Sequence, residues 1–129
     1  MPMDKFLLLI TSSPHSPNTK HALDFATDKL KNGDDVRMFF YGDGAYVANR
    51  LRWQSADVPD VADGWIKLHD EYALALPVCV GTALARGITD IDNATRHGLD
   101  GDNLRSPFYL VGLSELALGI DDDTTLMQF

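Results

Sequence analysis

The chain contains one cysteine, Cys79, within the stretch "LPVCVGTALARG" (76–87). Apolar Leu76, Pro77 and Val78 lead into it, and the small residues Gly81, Thr82 and Ala83 follow. This order reads as the end of a buried strand, with a helix beginning two or three residues later. In open parallel sheets, ligands and reactive groups gather at the carboxyl ends of the strands. The free N–H groups of a helix start favour negative charge there, which suits a thiolate. The small residues would let another chain approach the sulfur closely. The competing role is plain packing, since free cysteine is among the most buried residue types. Position alone leaves both roles open.

If Cys79 reacts, its solitude narrows the chemistry. No intrachain thiol can resolve a disulfide, which excludes a thioredoxin-type cycle. A cysteine hydrolase needs a histidine base. His15, His21, His69 and His97 are available, and none lies in a recognisable local motif. A sulfur carrier needs neither partner. Its thiolate takes the terminal sulfur of a donor persulfide and holds it until an acceptor thiolate attacks, with the other thiols supplied by other proteins.

Other segments carry weaker signals. The hydroxyl-rich "TSSPHSPNT" (11–19) resembles a flavodoxin-type phosphate turn, but it lacks glycine and two prolines remove N–H donors. A plain helix cap accounts for it better. Gly42-Asp43-Gly44 follows the second apolar run and lacks the third glycine of a dinucleotide fingerprint, so it reads as a turn. Asp121-Asp122-Asp123 lacks the spacing of a calcium loop and reads as a solvated connection. The histidines show no zinc spacing. "GLSEL" around Ser114 lacks the second glycine of a nucleophile elbow. No metal or cofactor is expected. The aromatics of 39–53 suit a core or a subunit contact.

The elements that must position Cys79 follow from hydrophobic patterning. Continuous apolar runs recur at 5–10, 36–41, 76–80, 108–113 and 125–129, as in parallel strands covered on both faces. The run at 108–113 is ambiguous, because "GLSELALGI" could extend it as a buried helix. Ser16 and Pro17 open a first helix whose stripe is Ala22, Leu23, Ala26 and Leu30, with Asn32-Gly33 as its stop. A second helix starts near Pro59 and carries Val61, Trp65, Leu68 and Tyr72. A short third follows Cys79 and stops at Gly87, and a fourth is "LSELALGI". The irregular stretch 41–59 is long enough to be functional or to hold a turn or two of helix in "AYVANRL". Alternating strands and helices predict a three-layer α/β/α sandwich with a mainly parallel sheet of about five strands, in one domain over 1–129.

Composition bounds the partners. The 129 residues are 45% hydrophobic and 23% charged, ordinary for a globular chain with its own core. A formal charge of −8 argues against nucleic acid and against an anionic membrane. The first apolar run spans only Phe6 to Ile10 after Asp4, short of the roughly 7–15 residues of a secretory core. No run nears the roughly 20 residues that span a bilayer. A cytoplasmic protein is expected.

Three segments in order resemble the DsrE/TusD family of sulfur-relay proteins. "FFYGDGAYVAN" (39–49) is similar to that family's second strand and loop. "VCVGTALARGITDIDNATRHGL" (78–99) is similar to its cysteine segment, and "GLSELALGIDDDTTLMQF" (112–129) to its closing helix and strand. The resemblance implies a flavodoxin-like α/β/α fold and a persulfide-carrying nucleophile at Cys79. It implies partners as well: TusB/TusC-like (DsrH/DsrF-like) subunits in a heterohexamer, a TusA-like sulfur donor and a TusE/DsrC-like acceptor. The sulfur would end in the 2-thiouridine of tRNA. A DsrE-type role in sulfur oxidation and a noncatalytic scaffold subunit are the alternatives.

Overall fold

The computed structural model describes residues 3–129. Strand β1 (Lys5–Ile10) leads to helix α1 (Pro17–Lys31), strand β2 (Asp35–Phe40) and a 3₁₀ segment (Gly42–Ala48). Helix α2 (Val61–Tyr72), strand β3 (Pro77–Cys79) and helices α3 (Val80–Ala85) and α4 (Ile91–His97) follow. Strand β4 (Tyr109–Val111), helix α5 (Ser114–Leu118) and strand β5 (Thr124–Gln128) complete the chain. All strand pairs are parallel, in the order β4-β3-β2-β1-β5. The three-layer α/β/α arrangement with five parallel strands is the one expected from the patterning.

The chain steps outward from β1 to β4, then returns across the sheet to lay β5 beside β1. Right-handed crossovers put the helices of the outward steps on one face and α5 on the other. The packing agrees. α1 lies against α2, and a Cβ at Gly64 would fall 2.3 Å from a Leu23 methyl, so glycine is what lets the two helices approach. On the opposite face, Gly119 after α5 lies against Leu7. Flavodoxin-type sheets run 2-1-3-4-5 and reverse at β1/β3, whereas here the reversal falls at β1/β5.

Paired residues of parallel strands point the same way, so register assigns the faces. Leu8, Ile10, Met38, Phe40 and Val78 point into the main core, with Ala22, Ala26, Trp65 and Leu68 from the helices. Phe40 stands edge-on to Trp65 and Phe108, with ring centroids 5.7 and 5.5 Å away. Leu7, Phe39 and Cys79 are also buried but lie outside that cluster, on the α5 face.

Element ends follow their caps. Ser16 accepts the N–H of Asn18 at the start of α1, and Gly33 turns left-handed (φ +86°) just past its end. α2 starts two residues after Pro59, where Asp60 accepts the N–H of Ala62. The 108–113 ambiguity resolves into a three-residue strand followed by a separate five-residue helix. The helix expected in 41–59 is the 3₁₀ segment, which begins at Gly42. α4 was not anticipated, because it buries only Ala94 and so shows no apolar stripe. Its signals are local: Asp90 caps the Asn93 N–H, and Gly98 (φ +66°) ends it.

The loop before α2 is anchored by charge. Asp60 meets Arg52 at 2.8 Å and Arg105 at 3.6 Å, and Arg105 also pairs with Asp63. Burial pushes the Asp60 carboxyl upward. Hydrogen bonds from Arg52 and the Ala62 N–H, with the charges of Arg52 and Arg105, outweigh that and hold it below the ordinary carboxylate value. A depressed folded pKa contributes stability that is complete above the unfolded value of about 3.9 and is lost as pH falls through the folded one. Asp60→Asn should therefore be less stable than wild type at neutral pH, with the difference closing below about pH 4. Urea unfolding across a pH series measures it, and a pH-independent difference would contradict the ion-pair account.

Candidate functional site at the carboxyl edge

β3 ends at Cys79, which holds extended backbone (φ −61°, ψ 120°) and occupies the cap position of α3. The helix begins at the very next residue, closer than its sequence implied. Cys79 pairs in register with Val111 of β4, and Val78 pairs with Phe40 of β2. The thiol therefore falls on the α5 face, at its carboxyl end, and is 5% exposed. The Thr82 hydroxyl donates to the Cys79 carbonyl at 3.3 Å, tying the strand end to the first helical turn. A Cβ on Gly81 would meet nothing within 4 Å, so open space lies over the residue two beyond the sulfur.

The 3₁₀ segment after β2 packs on both β3 and α3. Gly44 makes this possible: a Cβ there would sit 2.1 Å from the Ile10 carbonyl oxygen. Arg86, which caps the end of α3, clasps the segment from the other side. Its Nε and Nη2 donate to Asp43 Oδ1 at 3.2 and 3.1 Å, and Nη1 donates to the Thr82 carbonyl at 3.2 Å. Its guanidinium lies 5.8 Å from the Tyr46 ring centroid. The Gly-Asp-Gly turn thus braces the helix that follows Cys79. No local pattern shows this, because Asp43 and Arg86 are far apart in sequence.

Asn103 fixes the loop beyond α3. Its side chain accepts the Thr89 N–H at 2.9 Å and donates to the Gly87 carbonyl at 2.9 Å and to Asn49 at 3.1 Å. Beside it, Leu51, Leu84 and Leu99 line an apolar depression of about 340 Å³.

The other candidates separate from Cys79. His69 is held by the Leu74 carbonyl at 2.8 Å, near the opposite end of the sheet. His21 and His97 are exposed on α1 and α4. Among the described residues no histidine hydrogen-bonds Cys79, so a hydrolase pair gains no support. In the 11–19 turn, the N–H groups of Thr11 and Ser12 donate to the Phe129 carbonyl, that of His15 to Ser13 and that of Asn18 to Ser16. These donors are engaged within the fold, which is the cap reading and not an anion cradle. Asp121 accepts from its own turn, at Asp123 N–H and the Thr124 hydroxyl.

With this geometry in view, the DsrE/DsrF-like family model matches residues 4–129. The chain belongs to the DsrE/DsrF-like family. This DsrE-family chain is 39% identical to the Sulfurtransferase TusD of Cronobacter sakazakii over 115 residues, covering 88% of the chain and 90% of that protein. It is 38% identical to the Klebsiella pneumoniae Sulfurtransferase TusD over 127 residues, covering 97% and 99%. The Sulfurtransferase TusD homolog of Pseudomonas aeruginosa is 36% identical over 113 residues, covering 87% and 86%. Among solved structures, the ychN protein from E. coli superposes with a TM-score of 0.72 at 18% identity, over 98% of this chain and all of that one. The MTH1491 protein from Methanobacterium thermoautotrophicum gives 0.65 at 14%, again over 98% and 100%. Both share the fold of this chain.

Two outcomes test the brace around Cys79. Gly44→Ala should cost about 1–3 kcal/mol in urea unfolding, as overpacking against backbone does. Arg86→Ala removes a part-exposed ion pair worth at most about 1 kcal/mol, so global stability should barely change. Local opening should rise by up to about fivefold, read as faster iodoacetamide labelling of Cys79. An unchanged labelling rate would show that the clasp does not govern access to the thiol.

Proposed function

We propose that this chain is a sulfurtransferase subunit of a sulfur relay, with Cys79 as its nucleophile and persulfide carrier. The supporting observation is the placement of the lone cysteine: it ends a central strand and opens a helix, in a chain similar to TusD sulfurtransferases over nearly its whole length. The Cys79 thiolate attacks the outer sulfur of a persulfide on a TusA-like donor. The donor S–S bond breaks, the donor leaves as a thiolate, and Cys79 carries S–SH. An acceptor thiolate on a TusE/DsrC-like protein then attacks that outer sulfur and regenerates the Cys79 thiolate. Sulfur moves with no net oxidation, so the cycle needs no redox cofactor.

Burial serves this role. Cys79 is itself only 5% exposed, a setting that limits the access of water and oxidants to sulfur held there. TusB/TusC-like (DsrH/DsrF-like) subunits complete a heterohexamer in this reading, and the sulfur ends in tRNA 2-thiouridine. The relay runs in the cytoplasm, where a lone thiol stays reduced. Among the described residues, no helix is long and apolar enough to cross a membrane.

The same burial favours a second reading, a noncatalytic subunit whose Cys79 only packs. Incubation with a persulfidated TusA-like donor separates the two. Mass spectrometry without reductant should show wild type gaining the mass of one sulfur atom on Cys79, and Cys79→Ser gaining none. If the donor stays loaded while Cys79 is unmodified, the packing role is correct.

A further inference from the structure

Strands of an all-parallel sheet are ordinarily covered on both faces. Among the described residues, α1 and α2 cover one face, and the other carries only α5, a five-residue helix with no buried side chain. Leu113, Leu118 and Leu126 on this side are 53%, 77% and 48% exposed. Leu118 also lines a groove of about 500 Å³ that includes Leu7, Phe39 and Pro77. Exposed leucines around a groove of this size are what a protein contact covers, not what a lone surface displays.

The surroundings of the groove are acidic. Asp34, Asp35 and Glu115 line it, and Asp121, Asp122 and Asp123 follow α5 directly. The two cations that the strands place on this face are already engaged, Lys5 with Asp121 at 3.3 Å and Arg37 with Asp35 at 3.5 Å. Face-to-face pairing with a second copy would set these carboxylates against their own kind, in a chain of formal charge −8.

We propose that the α5 face docks a different subunit, one that presents an apolar centre ringed by lysine or arginine. The leucines fill the contact and the carboxylates select the partner. Cys79 lies on the same face, paired with Val111 only two residues before Leu113. The groove lies toward the amino ends of the strands, and a subunit that also covers Leu113 reaches the carboxyl end where Cys79 lies. The proposal rests on the sulfur-relay reading for its choice of test partners, the TusB- and TusC-like subunits.

The full chain and these subunits, purified separately, are mixed and followed by native mass spectrometry and titration at low and high salt. Leu118→Asp should weaken assembly by about tenfold or more. Asp122→Lys combined with Asp123→Lys should weaken it severalfold at low salt, with the difference vanishing at high salt. Trp53→Asp, at an 83% exposed position on the loop before α2, should leave assembly unchanged. All variants are checked for wild-type circular dichroism. Wild-type affinity in both α5-face variants overturns the proposal. So does loss of assembly only in Trp53→Asp, a wild-type homodimer abolished by Leu118→Asp, or no assembly with these subunits at any salt. Sulfur loading of Cys79 is measured on the same samples. Loading without assembly overturns the docking face alone, and assembly without loading overturns the relay alone.

Discussion

The parallel register across β1, β2 and β3 is the constraint from which the rest of the molecule follows. Because Leu8 aligns with Met38, and Phe40 with Val78, one set of alternate residues enters the core beneath α1 and α2. The other set, Leu7, Phe39 and Cys79, must then face the opposite way. A one-residue slip of β3 would exchange Val78 and Cys79 and bury the thiol in the main core. The cost of such a slip is high, since Phe40 with its Trp65 and Phe108 contacts is matched to Val78 and not to its neighbours. Aromatic packing on one face thereby decides which way a sulfur points on the other.

The same register explains what was legible in the sequence. Apolar runs, caps and glycine stops report on neighbours within a few residues, so β1, β2, α1 and the strand–helix junction at Cys79 could be read directly. α4 could not be read from periodicity, because a helix that buries one alanine carries no stripe. The strand order is equally silent, since it depends on which strand β5 pairs with after crossing the sheet. The clasp of Arg86 on Asp43 and the fastening of Gly87 and Thr89 by Asn103 join segments that meet only after the sheet has formed. The place of Cys79 at the end of a strand and the start of a helix was legible from its neighbours. The residues that hold its surroundings were not legible, because polar side chains on loops have no period.

The 3₁₀ segment shows how a backbone constraint becomes a site constraint. Gly44 lies directly on the Ile10 carbonyl, so the segment reaches the end of β1 only because this residue has no side chain. Three residues of chain separate this pivot from Phe40, β2's last core residue, whose partner Val78 lies beside the cysteine. Asp43 then projects toward α3, where Arg86 meets it, and the Thr82 carbonyl takes a second guanidinium bond. Thr82 in turn holds the Cys79 carbonyl. The strand end, the helix start and the turn after β2 are thus joined through the side chains of Asp43, Arg86 and Thr82, two of whose bonds end on main-chain carbonyls, so the thiol's position does not depend on its own weak hydrogen bonding.

The asymmetry between the two faces gives this arrangement its functional sense. A carrier thiol has opposing needs: seclusion while it holds reactive sulfur, and access when a partner thiol arrives. A core position would satisfy only the first, and an exposed loop only the second. Cys79 sits where the well-packed half of the sandwich fixes it from one side, through Val78 and α3. The thin half, with α5 alone over its groove, leaves the other side to be completed from outside. The packed core is therefore concentrated beneath α1 and α2, while the face that bears the Cys79 sulfur leaves Leu113, Leu118 and Leu126 exposed, the surface the docking proposal uses. That division lets the sulfur's cover change without disturbing the core that holds its strand in register.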